Sequence, residues 1–404
     1  MNSAKISGYC DPKFSQVEEI FSHSIKSGHE LGASLAVEIE GEKVIDLWGG
    51  FRDEERSKSW ERDTIVNVFS VSKAITSVCL GRLMERGLVD VNAQVRDYWP
   101  EFGSNGKEKI TVKDLLCHTA GMFGFKGGIP VNNWTDWRQY TRILENQSTY
   151  CEPGKIQAYH ALTFGWLVGE LIRRVDGRTV GEYFKDEIAS PLNIDFMIGL
   201  NSKDFKRCAD TIMLPQLPSL NQLSFLKFVP DVFLSTIFKN IKIALKTDYT
   251  SDAFDSSMLV DRNFVNSDDW RMAEVPAANG HGTAEGLAKF FSILSRAGGL
   301  DGVQILERAT IQKMREVQSS GPDMVLFGLP YKFGLGFMIN APITPIGRKR
   351  NKHMFGHTGI AGSVAFGDIE KKIGFSFLCN KQHKAIHLYK TSVDLTAALY
   401  ESLS

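Results

Sequence analysis

A chain of 404 residues, 43% hydrophobic and 23% charged, has the apolar content for a large core and the length for two domains or one composite domain. Its 47 basic and 47 acidic residues cancel, so no net field gathers phosphates or an anionic membrane surface, and nucleic acid is not expected as a partner. No apolar run reaches the ~18 residues of a bilayer span, and residues 1–14 carry Lys5, Asp11 and Lys13 without the apolar core of a secretory signal, so a cytoplasmic location is expected.

In chain order, Phe14, Val17, Ile20, Phe21 and Ile25 fall three or four apart and predict a helix over 13–26. Residues 33–40 and 43–48 read as strands joined by the turn Gly41-Glu42. Helices are expected near 72–85, 111–117, 161–175 and 180–188. The stretch 214–245 is apolar, contains proline and is weakly periodic. Its Phe225, Phe228 and Phe233 suggest a lid or substrate pocket wall, with an ordinary packed loop and helix as the plainer reading. A helix near 283–296, strands at 333–339, 363–367 and 372–379, and a closing helix at 385–402 complete the chain. The expected fold class is α/β (α+β): an antiparallel sheet flanked by helices and built from both chain ends, 1–65 and 275–404, around an inserted, mostly helical domain, 66–274. The six cysteines (Cys10, Cys79, Cys117, Cys151, Cys208 and Cys379) form no C-x-x-C pair and fit free thiols better than a disulfide framework.

Ser-x-x-Lys occurs at Ser70/Lys73, Ser104/Lys107 and Ser224/Lys227, so context has to choose. Ser104 lies in a Gly-Ser-Asn-Gly loop and Ser224 in the apolar stretch. Ser70 follows the apolar residues 66–69 and opens an amphipathic helix carried by Ala74, Ile75, Val78 and Met84. Three residues make nearly one helical turn, which returns Lys73 to the face of the Ser70 hydroxyl beside the free N–H groups of the helix start. Two further elements accompany it: Tyr159-His160-Ala161 at a loop-to-helix junction, and Gly356-His357-Thr358-Gly359 before a strand.

In that order the sequence resembles the serine β-lactamase and penicillin-binding family, especially class C β-lactamases and family VIII carboxylesterases. S-x-x-K, Y-x-N and K-T-G are matched by Ser70/Lys73, Tyr159 and His357-Thr358-Gly359. Segments 115–121 and 277–282 resemble further family segments, and the similarity covers roughly 33–399. The resemblance implies a β-lactamase/transpeptidase-like fold. It assigns Ser70 as nucleophile, Lys73 and Tyr159 as the groups that manage its proton, and the backbone N–H groups of Ser70 and Ile360 as the oxyanion hole. His357, Thr358 and Gly359 become substrate-binding residues, and no cofactor or metal is implied.

Two departures shape the expected activity. Ala161 replaces the asparagine of Y-x-N, removing an amide that helps hold an acylamino side chain. His357 replaces the lysine of K-T-G, leaving an imidazole that is neutral at pH 7 and expected to protonate near pH 6. The expected function is hydrolysis of short-chain neutral esters through an acyl-enzyme, with weak or no β-lactam hydrolysis. The alternatives are a β-lactamase, a D-Ala-D-Ala peptidase or acyltransferase, and an inactive relative serving as a binding or scaffolding module. His118 reads as a hydrogen-bonded structural histidine. His383 and His387 lie four apart without a third ligand and read as a solvated helix face rather than a metal site.

Overall fold

The computed structural model describes residues 5–130, 133–215, 221–254, 261–347, 353–384 and 387–404, without the side chains of Asn221, Gln222 and Phe233. The strands at the two chain ends pair with each other. Ile6–Cys10 (β1), Gly32–Ile39 (β2) and Glu42–Gly50 (β3) come from the start of the chain. Ser319–Asp323 (β4), Leu329–Phe333 (β5), Met338–Asn340 (β6), Met354–Thr358 (β7), Val364–Asp368 (β8) and Ile373–Cys379 (β9) come from the other end. Together they form a nine-stranded antiparallel sheet in the order β1-β3-β2-β9-β8-β7-β6-β5-β4. The two ends of the chain join at β2 and β9, where Leu35 faces Phe377 and Val37 faces Phe375.

Six helices position the rest: Ser15–Lys26 (α1), Val71–Glu85 (α2), Thr163–Asp176 (α3), Thr236–Ala244 (α4), Ala284–Ser295 (α5) and Lys390–Ser402 (α6). Strand side chains alternate between faces. Leu35, Val37, Phe375 and Phe377 therefore share a core with Phe21 and Ile25 of α1 and Leu395 and Leu399 of α6. Ala36 and Leu378 point the other way, into a core shared with Leu287 and Phe291 of α5. Both faces being covered, β9 is buried along its whole length. Gly374 lets α5 lie directly on it: a Cβ there would come within 2.1 Å of the Ala288 carbonyl oxygen.

Between β3 and β4 the chain is mostly helical, and α2 and α3 pack together around Trp166, Trp270 and Tyr140. Three expectations differ from the structure here. The strand expected over 333–339 is two strands, because Gly334–Phe337 leaves the sheet to meet α2. The Gly336 N–H donates to the Leu116 carbonyl at 3.0 Å, and a Cβ on Gly336 would overlap the Ser77 hydroxyl at 1.8 Å. Nor is α2 amphipathic. Lying between β7 and α3, it buries nearly every residue from Val71 to Leu83, Lys73 included. The closing helix begins at Lys390 rather than 385; residues 385–386 lie outside the described residues. All six thiols are unpaired, and no helix among the described residues is long and apolar enough to cross a membrane.

Candidate active site

The site is built at the start of α2. The Val68 N–H donates to the Gly280 carbonyl at 2.9 Å, and Phe69 then takes φ +48°. That left-handed conformation is costly for an aromatic residue and persists only where surrounding packing enforces it. Ser70 follows as the helix cap, yet its side chain makes no capping hydrogen bond. Ser72 does the local structural work instead, donating to the Phe69 carbonyl at 2.6 Å and accepting from the Gly280 N–H at 2.9 Å. The Ser70 hydroxyl is thereby left for Lys73, whose Nζ lies 3.1 Å from its Oγ.

Lys73 is fully buried, and its Nζ donates to the carbonyls of Ala161 (2.7 Å) and Ala277 (2.9 Å). No carboxylate pairs with it among the described residues. Burial without a counter-charge holds the amine well below the usual lysine range. A neutral amine has two N–H groups and one lone pair. With two positions of Nζ on the carbonyls, the third meets Ser70 Oγ, to which Nζ donates while it carries that proton and from which it can accept once neutral.

Tyr159 completes the cluster, its ring centroid 4.8 Å from Lys73 Nζ. Its backbone N–H donates to Asp323 Oδ1 at 3.1 Å, and its ring packs against His118 at 4.6 Å. His118 is buried and braced: its Nδ1 accepts from the His160 N–H at 3.1 Å and its carbonyl from Ala158 at 2.9 Å. Burial raises the Tyr159 phenol well above its ordinary pKa, opposed by a hydrogen bond with Ser70. Lysine and tyrosine are thus both pushed toward their neutral forms.

The end of β7 closes the cluster. Gly359 touches the serine turn so closely that a Cβ would lie 2.3 Å from the Val68 carbonyl oxygen and 3.4 Å from the Phe69 Cβ. Among the described residues, neither the Ser70 nor the Ile360 N–H has a protein acceptor. His357 is buried, with Nε2 3.4 Å from the Tyr159 hydroxyl and Nδ1 2.9 Å from the Thr358 carbonyl oxygen. Its protonation is not poised near pH 6 as expected. Burial, above all, brings its pKa down to about 3.

Several supporting groups escape sequence reasoning. Ala161 and Ala277 act through carbonyl oxygens, which leave no side-chain signature. Asn279 fixes the loop bearing Ala277, donating to the carbonyls of Trp270 and Ala273 and accepting from Val275. Gln382 donates to the Ile360 carbonyl at 2.9 Å while accepting from the Leu214 N–H at 3.0 Å, and the Tyr389 hydroxyl donates to Gly359 at 3.2 Å. Only the 277–282 loop had a sequence signal, in its glycines.

Other candidates lie elsewhere. Phe225 and Phe228, expected to line the pocket, are 58% and 87% exposed, because Leu226 takes the inward place in their turn. The Phe233 side chain lies outside the described residues. His383 is not on a solvated face: it stacks on His29 at 4.1 Å and 5°, beside buried Glu30. The ligand atoms of these three residues lie within 4.8 Å of one another. Two parallel imidazole planes cannot both contain one ion, so the stack as it stands is not a coordination geometry.

A profile of the family described as Beta-lactamase matches residues 17–398. The chain is 31% identical over 382 residues to the esterase/beta-lactamase LipL of Mycobacterium tuberculosis (strain ATCC 25618 / H37Rv), an alignment covering 93% of this chain and 83% of that protein. Similar solved structures include a family VIII carboxylesterase, at 33% identity and a TM-score of 0.84, covering 98% of this chain and 100% of that one. A penicillin-binding protein homologue from Caulobacter crescentus has 33% identity and a TM-score of 0.83 over the same shares.

Proposed function

The chain belongs to the β-lactamase family of serine hydrolases, and from that premise we propose that it is a serine carboxylesterase turning over short-chain neutral esters through an acyl-enzyme on Ser70. The observation that carries this reading is the buried, carboxylate-free Lys73 amine 3.1 Å from the Ser70 hydroxyl. A serine hydroxyl is a poor nucleophile until a base takes its proton, and a lysine serves only when burial keeps it neutral.

In acylation, Lys73 Nζ takes the Ser70 proton as Oγ attacks the ester carbonyl carbon. The oxygen of the tetrahedral intermediate receives the N–H groups of Ser70 and Ile360. Lys73, now an ammonium, sits over the Tyr159 ring, where a cation is stabilised by the π face and in turn favours ionisation of the phenol. Tyr159 passes its proton to the departing alkoxide and regains one from Lys73. In deacylation water replaces the alcohol: it loses a proton to the same pair, attacks the acyl carbon and releases the acid with Ser70 restored. Thr358 and Gly359 hold the substrate edge along β7.

The substrate preference rests on two positions. His357 stays neutral across physiological pH, so a β-lactam carboxylate meets no fixed cation there, and a neutral donor gives roughly half the strength of a charge-assisted one. Ala161 offers no side-chain amide for an acylamino group. Measuring kcat/KM for p-nitrophenyl esters of increasing chain length beside nitrocefin tests the proposal. A clear preference for the short esters supports it; a preference for nitrocefin replaces it with the β-lactamase reading.

A further inference from the structure

Charge and apolar exposure, balanced over the whole chain, concentrate in one segment. Among the described residues eleven large apolar side chains are exposed, and six of them (Phe225, Phe228, Val232, Ile237, Phe238 and Ile243) fall between 225 and 243. Residues 223–247 also hold four lysines against one aspartate, in a chain whose net charge is zero. Asp231 pairs with Lys242 at 2.8 Å, and Lys227, Lys239 and Lys246 have no carboxylate partner among the described residues. On α4, Lys239 and Ile243 stand four residues apart on the outward face, opposite the buried Ile241 and Ala244.

The segment is fixed to the rim of the active site. Its α4 packs on β5, where Gly328 leaves a gap for the Asn240 carbonyl, which a Cβ would approach to 2.4 Å. Just beyond it, Tyr249 packs on Phe123 at 4.7 Å and Phe254 lies 6.4 Å from the Tyr159 ring. Before it, Leu214 is tied through Gln382 to Ile360. So many large apolar side chains exposed within one short segment is uncommon on soluble proteins, and such exposure marks interaction surfaces. A pocket wall would turn these side chains inward, and they point out.

We propose that residues 223–246 are a docking surface for an anionic lipid–water interface, with the exposed phenylalanine, valine and isoleucine side chains entering the headgroup boundary and Lys227, Lys239 and Lys246 facing the lipid phosphates. Apolar side chains interleaved with lysines and almost no acid are the chemistry of interfacial segments. A second copy of the chain fits less well. A two-fold contact would set the patch against itself, opposing its own unpaired lysines. The proposal is independent of the ester assignment, because docking requires no turnover.

The test is co-sedimentation of the full chain with large vesicles of phosphatidylglycerol and phosphatidylcholine, in equal parts, against vesicles of phosphatidylcholine alone. The wild type is expected to bind the anionic vesicles more strongly, with the difference shrinking as salt rises. Val232→Ser/Ile237→Ser/Ile243→Ser should lower partitioning on the order of 10-fold or more. Lys227→Gln/Lys239→Gln/Lys246→Gln should lower binding to the anionic vesicles on the order of 10²-fold, at about 1 kcal/mol per lysine. Both variants should keep the wild-type melting temperature, and the first its turnover of soluble p-nitrophenyl acetate, which separates lost docking from misfolding. Failure of the wild type to bind anionic vesicles, equal binding by the variants, or a wild-type dimer that the variants dissolve would each overturn the proposal.

Discussion

Two of the three Ser-x-x-Lys segments build almost the same lysine cradle. Lys73 and Lys107 are both buried, both lie over an aromatic ring (Tyr159 and Phe102), and both donate to two backbone carbonyls. In each, the lysine N–H also closes a turn on the serine carbonyl. The difference lies in the serine and its surroundings. Ser70 opens a buried helix after a strained Phe69 and its hydroxyl oxygen accepts from Lys73 Nζ, near Tyr159, with its own N–H free of a protein acceptor. Ser104 sits in a loop, where its hydroxyl donates to the Glu145 carbonyl at 3.5 Å, accepts from Asn105 at 3.4 Å and makes no hydrogen bond with Lys107 Nζ among the described residues. On the proposed mechanism a buried lysine is therefore not enough; the serine also has to be released from local hydrogen bonding and placed where N–H groups are free to meet an oxyanion.

Removing the serines in turn separates the two segments most strongly. Ser70→Ala should cut ester turnover on the order of 10³-fold or more, and Ser104→Ala and Ser224→Ala should leave it near wild type. Comparable losses at Ser70 and Ser104 would mean that the surroundings do not discriminate. Lys73→Ala and Tyr159→Phe should each be severe. Combined they should cost little more, since groups acting on one proton are not additive. Gly359→Ala adds a Cβ 2.3 Å from the Val68 carbonyl oxygen; displacing one oxyanion donor should cost roughly 10²-fold in kcat, with a smaller relative change in melting temperature.

The pH response sharpens the same contrast. Because Lys73 has to be neutral to accept the Ser70 proton, kcat/KM for a neutral ester should rise with pH through one inflection well below the usual lysine range. An inflection near 10.5 would place the base in water rather than in the cradle. The nitrocefin to p-nitrophenyl acetate ratio cancels that shared step. With the His357 pKa near 3, it should stay flat from pH 8 to pH 5; a rise near 6 would restore a titrating His357.

The smallest effect concerns Asp323, buried beneath Tyr159 with its pKa raised to about 6, chiefly by burial. A folded-state value above the unfolded one contributes stability present below about pH 4 and lost as pH rises through about 6. Asp323→Asn should flatten that part of the melting-temperature profile by a few degrees, and an unchanged slope would show that water reaches the carboxylate.

What could be read from the sequence was what side chains carry. Leu35 and Val37 alternate as a strand should, and Phe14 to Ile25 keep helical spacing, so the sheet of two chain ends was visible before the structure. Ser70, Lys73, Tyr159 and His357, which the structure brings together, stand out in the sequence through their order along the chain. What escaped was fixed by neighbours distant in sequence. The carbonyls of Ala161 and Ala277 have no side-chain signal. Gly336 breaks its strand because of Ser77, and the His357 pKa depends on burial that no local pattern records. Phe225 and Phe228 looked like pocket residues because composition shows that a side chain is apolar without showing which way it points.

The claim at the centre is that Ser70, and no other serine, is the activated nucleophile. A fluorophosphonate reporter with peptide mapping reads this directly. One adduct per chain is expected, on Ser70, forming faster as pH rises and absent from Ser70→Ala and Lys73→Ala. An adduct on Ser104 or Ser224, or equal labelling of the Ser70→Ala variant, would contradict it.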